Sequence, residues 1–319
     1  MAPAPQPGRG WRVCTPVTRL RTLTLVLLAG LLLLAPAAPA KTAWKRLGEA
    51  RTPQLETDPR YAAYEDPNGV TRLFDSETNR RTKHRRPIAD CPFTNLGGGR
   101  IMWACRAYPV HIAFETIRTG RIGQRDLEAG DSAGGAHYIG KYWVKGAVND
   151  ANGNQYEAWW RLSDGTRGPE VTGARRIDDL DRPGLVRELC SPLQRKPNPF
   201  FGMTGDTRPY AAYQFDGRFG LTADGFQWVL QRCGQKPKPV TLGLNGGELT
   251  AGRIAYFDRG DIVVLDAATR RKTTWSVTDI EPTADGAVVR VTANRIFVAV
   301  FRGADGFAPS RVYTARLPK

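Results

Sequence analysis

The residues of this chain that could carry out chemistry are few and widely spaced. His84, His111 and His137 are the candidates for acid–base work or metal binding. None lies at metal-ligand spacing from another histidine or from a cysteine. No Gly-x-Ser-x-Gly sequence marks a nucleophile elbow, although a Ser-His-Asp set can also assemble in space without a local signature. The alternative interpretation is a solvated His84 and two ordinary strand or turn histidines, so no catalytic residue is assigned.

One acidic stretch resembles the start of a calcium loop. Asp150, Asn152 and Asn154 have the spacing of the first ligands, but Gln155 replaces the turn glycine and Arg161 stands where the bidentate glutamate belongs. A hairpin turn rich in asparagine and glycine explains the same residues. The sequence therefore predicts neither a metal site nor a cofactor.

Basic runs are the most numerous charged feature, and the whole chain has a formal charge of +15. They follow predicted strands and could together form one positive surface that meets an anionic polymer, such as a cell-wall polyanion or nucleic acid. The alternative is that arginine simply decorates solvated turns, and specific nucleic-acid recognition is not expected. The candidate binding residues are Arg80, Arg81, Lys83, Arg85, Arg86, Arg270, Arg271 and Lys272.

The first 40 residues have the pattern of a secretory signal peptide. Four arginines precede an apolar run over 23–35, and the small-x-small sequence Ala38-Pro39-Ala40 follows it. An uncleaved anchor is the alternative, but the apolar run is shorter than the about 20 residues that span a bilayer. We therefore expect cleavage after Ala40, a single domain over 41–319 with a charge of +11, and a secreted, monomeric protein without stable membrane insertion.

The four cysteines beyond the leader favour disulfides, because an even number in an exported chain usually forms pairs. We expect Cys91–Cys105 and Cys190–Cys233, since each first cysteine lies near a proline in a turn-like setting and each second one ends an apolar run. Buried free thiols and a zinc site are the alternatives. The absence of any Cys-x-x-Cys sequence argues against zinc.

The elements that must position these residues are short strands in a repeated unit. The stretch "GRIAYFDRGDIVVLDAATRRKTTW" (252–275) alternates strands and turns, and 60–81 and 100–121 repeat its pattern. Weaker copies cover 136–167, 208–221 and 294–317. The spacing from Arg60 to Arg100 is 40 residues, and from Arg253 to Arg295 it is 42. Periods of about 40–50 residues built from short strands indicate β-propeller blades.

Six units predict an all-β, six-bladed propeller. The chain ends directly after a strand, so we expect 43–48 to supply the missing outer strand beside 311–317 and close the ring. The acidic residue of each Asp-x-x-Thr turn is expected to form local hydrogen bonds rather than to take part in catalysis. The segment 168–207 is proline-rich and predicts an irregular insertion held by Cys190–Cys233.

The repeat "GRIAYFDRGDIVVLDAATRR" resembles that of the exported bacterial six-bladed propellers of the TolB type and their relatives. The resemblance covers most of 58–317 and implies the fold, but it carries no functional residue to this chain. We expect a non-enzymatic binding or scaffold module for an anionic cell-surface polymer or a protein partner. The alternative is a secreted polysaccharide-active hydrolase or lyase with its site at the axial mouth, which convergent carboxylates there would favour.

Overall fold

The computed structural model describes most of the chain after position 41, and no helix in this described part is long and apolar enough to cross a membrane. The described residues are 42–105, 110–127, 134–140, 143–149, 155–167, 214–216, 218–224, 227–232, 235, 238–243, 246–303 and 309–318.

The described residues form six antiparallel sheets, numbered here in chain order. Sheet 1 contains β2 (Glu56–Thr57), β3 (Tyr61–Glu65), β4 (Val70–Asp75) and β5 (Arg81–Arg85). Sheet 2 contains β6 (Phe93–Gly97), β7 (Arg100–Ala104), β8 (Val110–Thr116) and β9 (Arg121–Leu127). Sheet 3 contains β10 (Gly134–Ile139), β11 (Trp143–Asn149) and β12 (Gln155–Arg161).

The other three sheets follow the same up-and-down order. Sheet 4 contains β13 (Gln214–Phe215), β14 (Phe219–Asp224), β15 (Gln227–Arg232) and β16 (Lys238–Val240). Sheet 5 contains β17 (Glu248–Thr250), β18 (Arg253–Asp258), β19 (Asp261–Asp266) and β20 (Lys272–Ser276). Sheet 6 contains β21 (Gly286–Val291), β22 (Arg295–Phe301), β23 (Ser310–Arg316) and, at its edge, β1 (Lys45–Ala50).

Apolar side chains cover both faces of the inner strands, because successive residues of a strand point to opposite faces. In β22, Phe297 and Ala299 pack toward sheet 1, whereas Ile296 and Val298 pack toward sheet 5. In this way five apolar layers join sheet 1 to sheet 2, 2 to 3, 4 to 5, 5 to 6, and 6 to 1. Each layer excludes water from two sheets at once.

The predicted pairing of the N-terminal segment with the last strand is confirmed. β1 runs antiparallel to β23, from Lys45 opposite Thr314 to Ala50 opposite Ser310, with an irregularity between Arg46 and Gly48. The paired residues begin two positions later than the predicted segment. The edge of β23 is thereby covered, as an otherwise open strand requires.

The Asp-x-x-Thr turns have the local role that the sequence predicts. Asp75 and Asp266 each accept backbone N–H bonds from the residues two and three positions further on, at 2.7–3.2 Å. The hydroxyl of Thr269 also donates to Asp266 at 2.9 Å. These carboxylates satisfy turn N–H groups and are not free for catalysis.

A second kind of acidic turn links one sheet to the next. Asp58 and Asp216 follow the first strands of sheets 1 and 4, and each accepts two local N–H bonds at 2.7–3.0 Å. Each also accepts a backbone N–H from the first hairpin of the next sheet, at Gly99 and Gly252 respectively. Both glycines have positive φ, +71° and +75°, which residues with a Cβ rarely adopt.

The Cys91–Cys105 disulfide is present and is confirmed as predicted, with its Cα atoms 4.2 Å apart. It ties the segment before β6 to the residue after β7, beside the layer between sheets 1 and 2. The weaker copy of the repeat at 136–167 contains most of β10 together with β11 and β12. The predicted leader, the pair Cys190–Cys233, the insertion at 168–207 and the calcium-like residues Asp150, Asn152 and Asn154 lie outside the described residues.

Candidate functional site

The edge strands of four sheets bring polar side chains to one place deep in the protein, called here the central cluster. Its members are Glu56 and Thr57 from β2, Asn95 from β6, Glu248 from β17 and Arg290 from β21. These strands belong to sheets 1, 2, 5 and 6. Side chains from separate sheets meet here because each sheet points its first strand toward the same region.

Asn95 holds the carboxyl of Glu56. Its Nδ2 atom donates to Glu56 Oε2 at 3.2 Å, while its Oδ1 atom accepts from the backbone N–H of Ile139 at 3.1 Å. A backbone N–H can only donate, so this second bond fixes which way the amide faces. Gly97 lets β6 approach this closely, because a Cβ there would lie 2.2 Å from the carbonyl oxygen of Ile139.

Glu248 carries the ion pair of the cluster. Arg290 Nε lies against Glu248 Oε2 in an ion pair without hydrogen-bond geometry, and Thr57 Oγ1 donates to Glu248 Oε1 at 3.4 Å. The guanidinium also donates from Nη1 to the carbonyl oxygen of Val289 at 3.1 Å. The side chains of Glu248 and Arg290 keep 17% and 25% of their surface accessible, so water reaches the cluster.

Burial controls the charges of this cluster. Desolvation and, to a smaller extent, the negative charge of Glu248 together raise the pKa of Glu56 to about 8, against the opposing effects of Arg290 and Asn95. Desolvation likewise raises the pKa of Glu248. Desolvation lowers the pKa of Arg290, but Glu248 and Glu56 outweigh this effect and leave the pKa raised. At pH 7 the cluster therefore holds a mostly protonated Glu56, while Arg290 lies against the carboxyl group of Glu248.

A fifth sheet contributes Tyr138, whose side chain is half exposed and acts electrostatically on Arg290. Tyr138 belongs to β10 of sheet 3 and Arg290 to β21 of sheet 6. Sheets 1 and 2 lie between these two in the order of apolar layers. The first strand of sheet 3 therefore also comes near the central cluster.

A groove of about 730 Å³ lies between β1 of sheet 6 and the strands of sheet 1. Arg81 and Lys83, two residues of the predicted basic surface, line it together with Arg72. Arg72 pairs with Asp66, and Glu49 at the groove pairs with Arg46. Within the described part of the chain Arg81 and Lys83 have no acidic partner, so they leave the groove positive.

The remaining basic candidates lie in different places. Arg80 and Arg85 are exposed at the two ends of β5, whereas Arg86 donates to the carbonyl oxygen of Ala89 at 2.7 Å. The second predicted run is near the start of β20 in sheet 5. There Arg270 donates to the carbonyl oxygen of Pro239 in β16, Lys272 donates to that of Thr241 just after β16, and Arg271 is exposed. The sequence could not show that these two runs belong to different sheets.

The prediction that His84 is solvated is wrong. Alternation along β5 turns His84 toward sheet 2, where its Nδ1 lies 2.9 Å from Glu115 Oε2 and only 13% of the side chain is accessible. Thr82 Oγ1 lies 2.8 Å from Nε2 of the same ring. This hydroxyl, imidazole and carboxylate have the order of a catalytic triad, but Thr82 lies on a regular strand rather than on the strained turn that exposes a nucleophile. The contact orients the ring and joins two sheets.

The other histidines also fit the simpler interpretation. His111 on β8 pairs with Asp126 on the neighbouring strand, with Nδ1 2.5 Å from Oδ1. His137 is exposed on β10. Among the described residues, no group of three or more His, Cys, Asp or Glu side chains lies close enough to hold a metal ion.

Sequence reasoning missed the central cluster altogether. Glu56 and Glu248 each lie in a short polar stretch, "QLETD" and "GGELT", before an apolar strand, and Arg290 interrupts the run "GAVVRV". A signal was present in Arg290, because a charged residue within a buried strand needs a partner. Its partners are 42 and 234 residues away in sequence, and only the fold identifies them.

Comparisons with known proteins add little to this geometry. No protein-family model and no curated protein matches the chain. A luciferin-regenerating enzyme is similar over 86% of this chain and 95% of its own, with 11% identity and a TM-score of 0.42. PorZ, a surface component of the type-IX secretion system of Porphyromonas gingivalis, is similar over 86% of this chain but 39% of its own, with 10% identity and a TM-score of 0.45. At these scores neither likeness supports an argument about function, and the resemblance to TolB-type propellers gains nothing from them.

Proposed function

We propose that the six sheets close into a six-bladed β-propeller, with β1 completing the last blade. Five consecutive apolar layers support this arrangement, since only the layer between sheets 3 and 4 is needed to complete a ring. The bond from Thr57 of sheet 1 to Glu248 of sheet 5 also supports it. Sheet 6 packs between those two sheets, so its neighbours can meet only if the sheets turn about an axis.

We further propose that the protein is exported and binds an anionic polysaccharide in the groove between β1 and sheet 1. The observation that carries this proposal is the placement of Arg81 and Lys83, which are exposed and line the groove without acidic partners among the described residues. Cations at this position attract carboxylate or sulfate groups spaced along a chain. The Cys91–Cys105 disulfide fits an oxidising compartment outside the cytoplasm.

Groove geometry explains why these residues suit a polymer better than a small anion. Arg81 and Lys83 lie on the same face of β5, because they are two positions apart in one strand, and Arg85 continues that row. Three cations at a spacing of about 7 Å form a line along the strand, as the rise of about 3.4 Å per residue requires. A linear chain with regular negative charges can meet all three.

Fluorescence anisotropy with labelled polygalacturonate tests this function. The double variant Arg81→Glu and Lys83→Glu is expected to bind at least about 10-fold more weakly, because two attractive charges become repulsive. The matched control, Arg271→Glu and Lys272→Glu, changes the net charge equally but lies on sheet 5 and should lose only a few-fold. Equal losses in both variants would show that net charge alone drives binding, and equal binding of neutral dextran would overturn the proposal.

A second candidate function, a polysaccharide-active hydrolase or lyase, is supported by the meeting of Glu56 and Glu248. Glycoside cleavage uses two carboxyl groups, one of them protonated near neutral pH, and the raised pKa of Glu56 fits the acid. Release of reducing ends or unsaturated products from polysaccharides tests this candidate. Activity that survives in Glu56→Gln would contradict the assignment of the acid.

A further inference from the structure

The central cluster presents hydrogen-bonding groups that its own members do not use up. Oε2 of Glu56 accepts from Asn95, whereas Oε1 of Glu56 has no hydrogen bond among the described residues. The oxygens of Glu248 interact with Thr57 and Arg290, but each carboxylate oxygen can accept a second bond. Both glutamates keep part of their surface accessible. The cluster therefore offers an O–H donor on Glu56 and an acceptor on Glu248, and each of these residues is partly accessible.

Asn95 decides which oxygen of Glu56 carries the proton. Its Nδ2 must face Glu56, because the backbone N–H of Ile139 occupies its Oδ1. An amide donor stabilises the carbonyl oxygen of a neutral carboxyl group and leaves the hydroxyl on the other oxygen. Protonated Glu56 therefore directs its O–H from Oε1, away from Asn95.

We propose that the central cluster binds a hydroxyl group of a neutral ligand such as a sugar, with Glu56 donating to it and Glu248 accepting from it. A hydroxyl both donates and accepts, so it matches this pair of groups. The site is separate from the basic groove, and the proposal does not depend on binding there. It also does not require the ligand to be cleaved.

The charges of the cluster favour a neutral ligand over an ion. Arg290 is already paired with Glu248, so a bound anion would meet a carboxylate as well as a cation. A bound cation would meet the guanidinium of Arg290 instead. Either ion would leave one charge of the cluster repelled in a desolvated site, which is costly. A hydroxyl group keeps the existing ion pair intact.

Binding of this kind depends on the proton of Glu56. The titratable groups that act on it are Arg290 from β21 and Glu248 from β17, and Tyr138 from β10 acts on Arg290. Burial raises the pKa of Glu56 to about 8, so the carboxyl group is mostly protonated at pH 7. Above pH 8 the donor is lost, and apparent affinity falls with the protonated fraction.

Saturation-transfer NMR with a mixture of neutral sugars, followed by calorimetry on any sugar that binds, tests the proposal. The mixture contains glucose, galactose, mannose and N-acetylglucosamine, with glucuronate and glucosamine as charged counterparts. We expect a neutral sugar to bind at pH 7 and to bind about 10-fold more weakly at pH 9, since the protonated fraction falls by that factor. No binding by any neutral sugar, or binding of only the charged counterparts, would overturn the proposal.

The matched control is Glu56→Gln, which keeps a carbonyl for Asn95 and presents an N–H donor at every pH. The affinity of this variant for the same sugar should no longer fall between pH 7 and pH 9. A fall of equal size in this variant would show that another group titrates, and the proposal would be wrong. Glu56→Leu, checked for folding by circular dichroism, should lose sugar binding but retain polygalacturonate binding, which separates this site from the groove.

Discussion

Glu56 and Glu281 both lie near arginine side chains, yet their pKa values move in opposite directions. Burial raises that of Glu56 to about 8. Hydrogen bonding to Arg311, assisted by Tyr313, lowers that of Glu281 to about 2. Similar partners therefore give a carboxyl group that holds its proton at pH 7 and another that has lost it.

The number of cations for each acid explains much of this difference. In the central cluster two glutamates share Arg290, so their charges also repel each other. Glu281 has four side-chain donors among the described residues: Arg311 at 2.6 Å, the Tyr313 hydroxyl at 3.0 Å, Arg302 at 3.2 Å and the Thr283 hydroxyl at 3.3 Å. An acid with several donors remains ionised even when little of it is accessible.

The depth of each carboxyl group in the protein explains the remaining difference between their pKa values. The accessible fractions of the Glu248 and Glu281 side chains are nearly equal, at 17% and 13%. Glu248 lies where first strands from several sheets meet, whereas Glu281 follows the short 3₁₀ turn at Val277–Asp279 and contacts the strand that β1 covers. Desolvation depends on all the protein around a group, so the central carboxylates lose more solvation than the accessible area alone indicates.

Removing residues 41–50 tests the Glu281 side of the comparison and has the largest expected effect. Without β1, the β23 edge that carries Arg311 and Tyr313 is exposed, and buried Ala50 is lost. The edge-to-face contact of Trp44 with Trp275, at 6.0 Å between ring centroids, is lost as well. Lost packing and pairing of this kind cost on the order of 5 kcal/mol, so we expect a Tm at least about 10 °C lower by calorimetry.

The control for that deletion is removal of 318–319, which lie after β23 and should change Tm by no more than about 1 °C. An unchanged Tm in the 41–50 deletion would contradict both the role of β1 and the six-bladed arrangement that depends on it.

Replacing Arg290 by methionine tests the Glu56 side of the comparison, in the central cluster. The change leaves two buried glutamates without a cation, and breaking a buried ion pair typically costs about 3–5 kcal/mol in the free energy of unfolding at pH 7. Urea denaturation measures this loss, with Arg302→Met as the control. That side chain is 57% exposed beside Glu281, so its loss should cost at most about 1 kcal/mol.

The loss in the free energy of unfolding caused by Arg290→Met should become smaller as the pH falls toward 5. Glu56 and Glu248 then bind protons in the folded state more readily than in the unfolded state, which adds stability at low pH and removes it as the pH rises. A deficit that is the same at pH 5 and pH 8 would show that the loss arises from packing alone.

Glu56→Gln and Glu281→Gln should change the free energy of unfolding in opposite directions, and each by less than Arg290→Met. The pKa of Glu56 is raised by folding, so its contribution to stability is complete below the unfolded value near 4.5 and is lost as the pH rises toward 8. Glutamine removes this pH-dependent loss, and we expect stability at pH 7 to rise by about 2 kcal/mol. The pKa of Glu281 is lowered, so glutamine there should cost about 1 kcal/mol at pH 7 after screening by solvent.

Urea denaturation between pH 5 and pH 8 distinguishes these two variants. The decline of wild-type stability over this range should be smaller in Glu56→Gln and unchanged in Glu281→Gln. If Glu56→Gln destabilises the protein at pH 7, the carboxyl group is ionised in the folded state and its assigned protonation is wrong.

The sequence by itself determined the strands, their turns and the N-terminal segment that pairs with the last strand. Alternating apolar residues and the Asp-x-x-Thr turns are local signals, because they depend on neighbours within a few positions. The turn-like setting of Cys91 and the apolar run that ends at Cys105 likewise favoured their pairing. The pairing of β1 with β23 followed from the need to cover a sheet edge, which is a general requirement of open strands.

Only the tertiary structure decided where charge is buried and which groups share it. Glu56, Glu248 and Arg290 have no common motif, since they come from three sheets and become neighbours only when the first strands converge. The inward turn of His84, between exposed Lys83 and Arg85, depends on which face of β5 packs against sheet 2. Protonation depends on the whole surrounding protein rather than on sequence neighbours, and for this reason the candidate site could not be read from the chain.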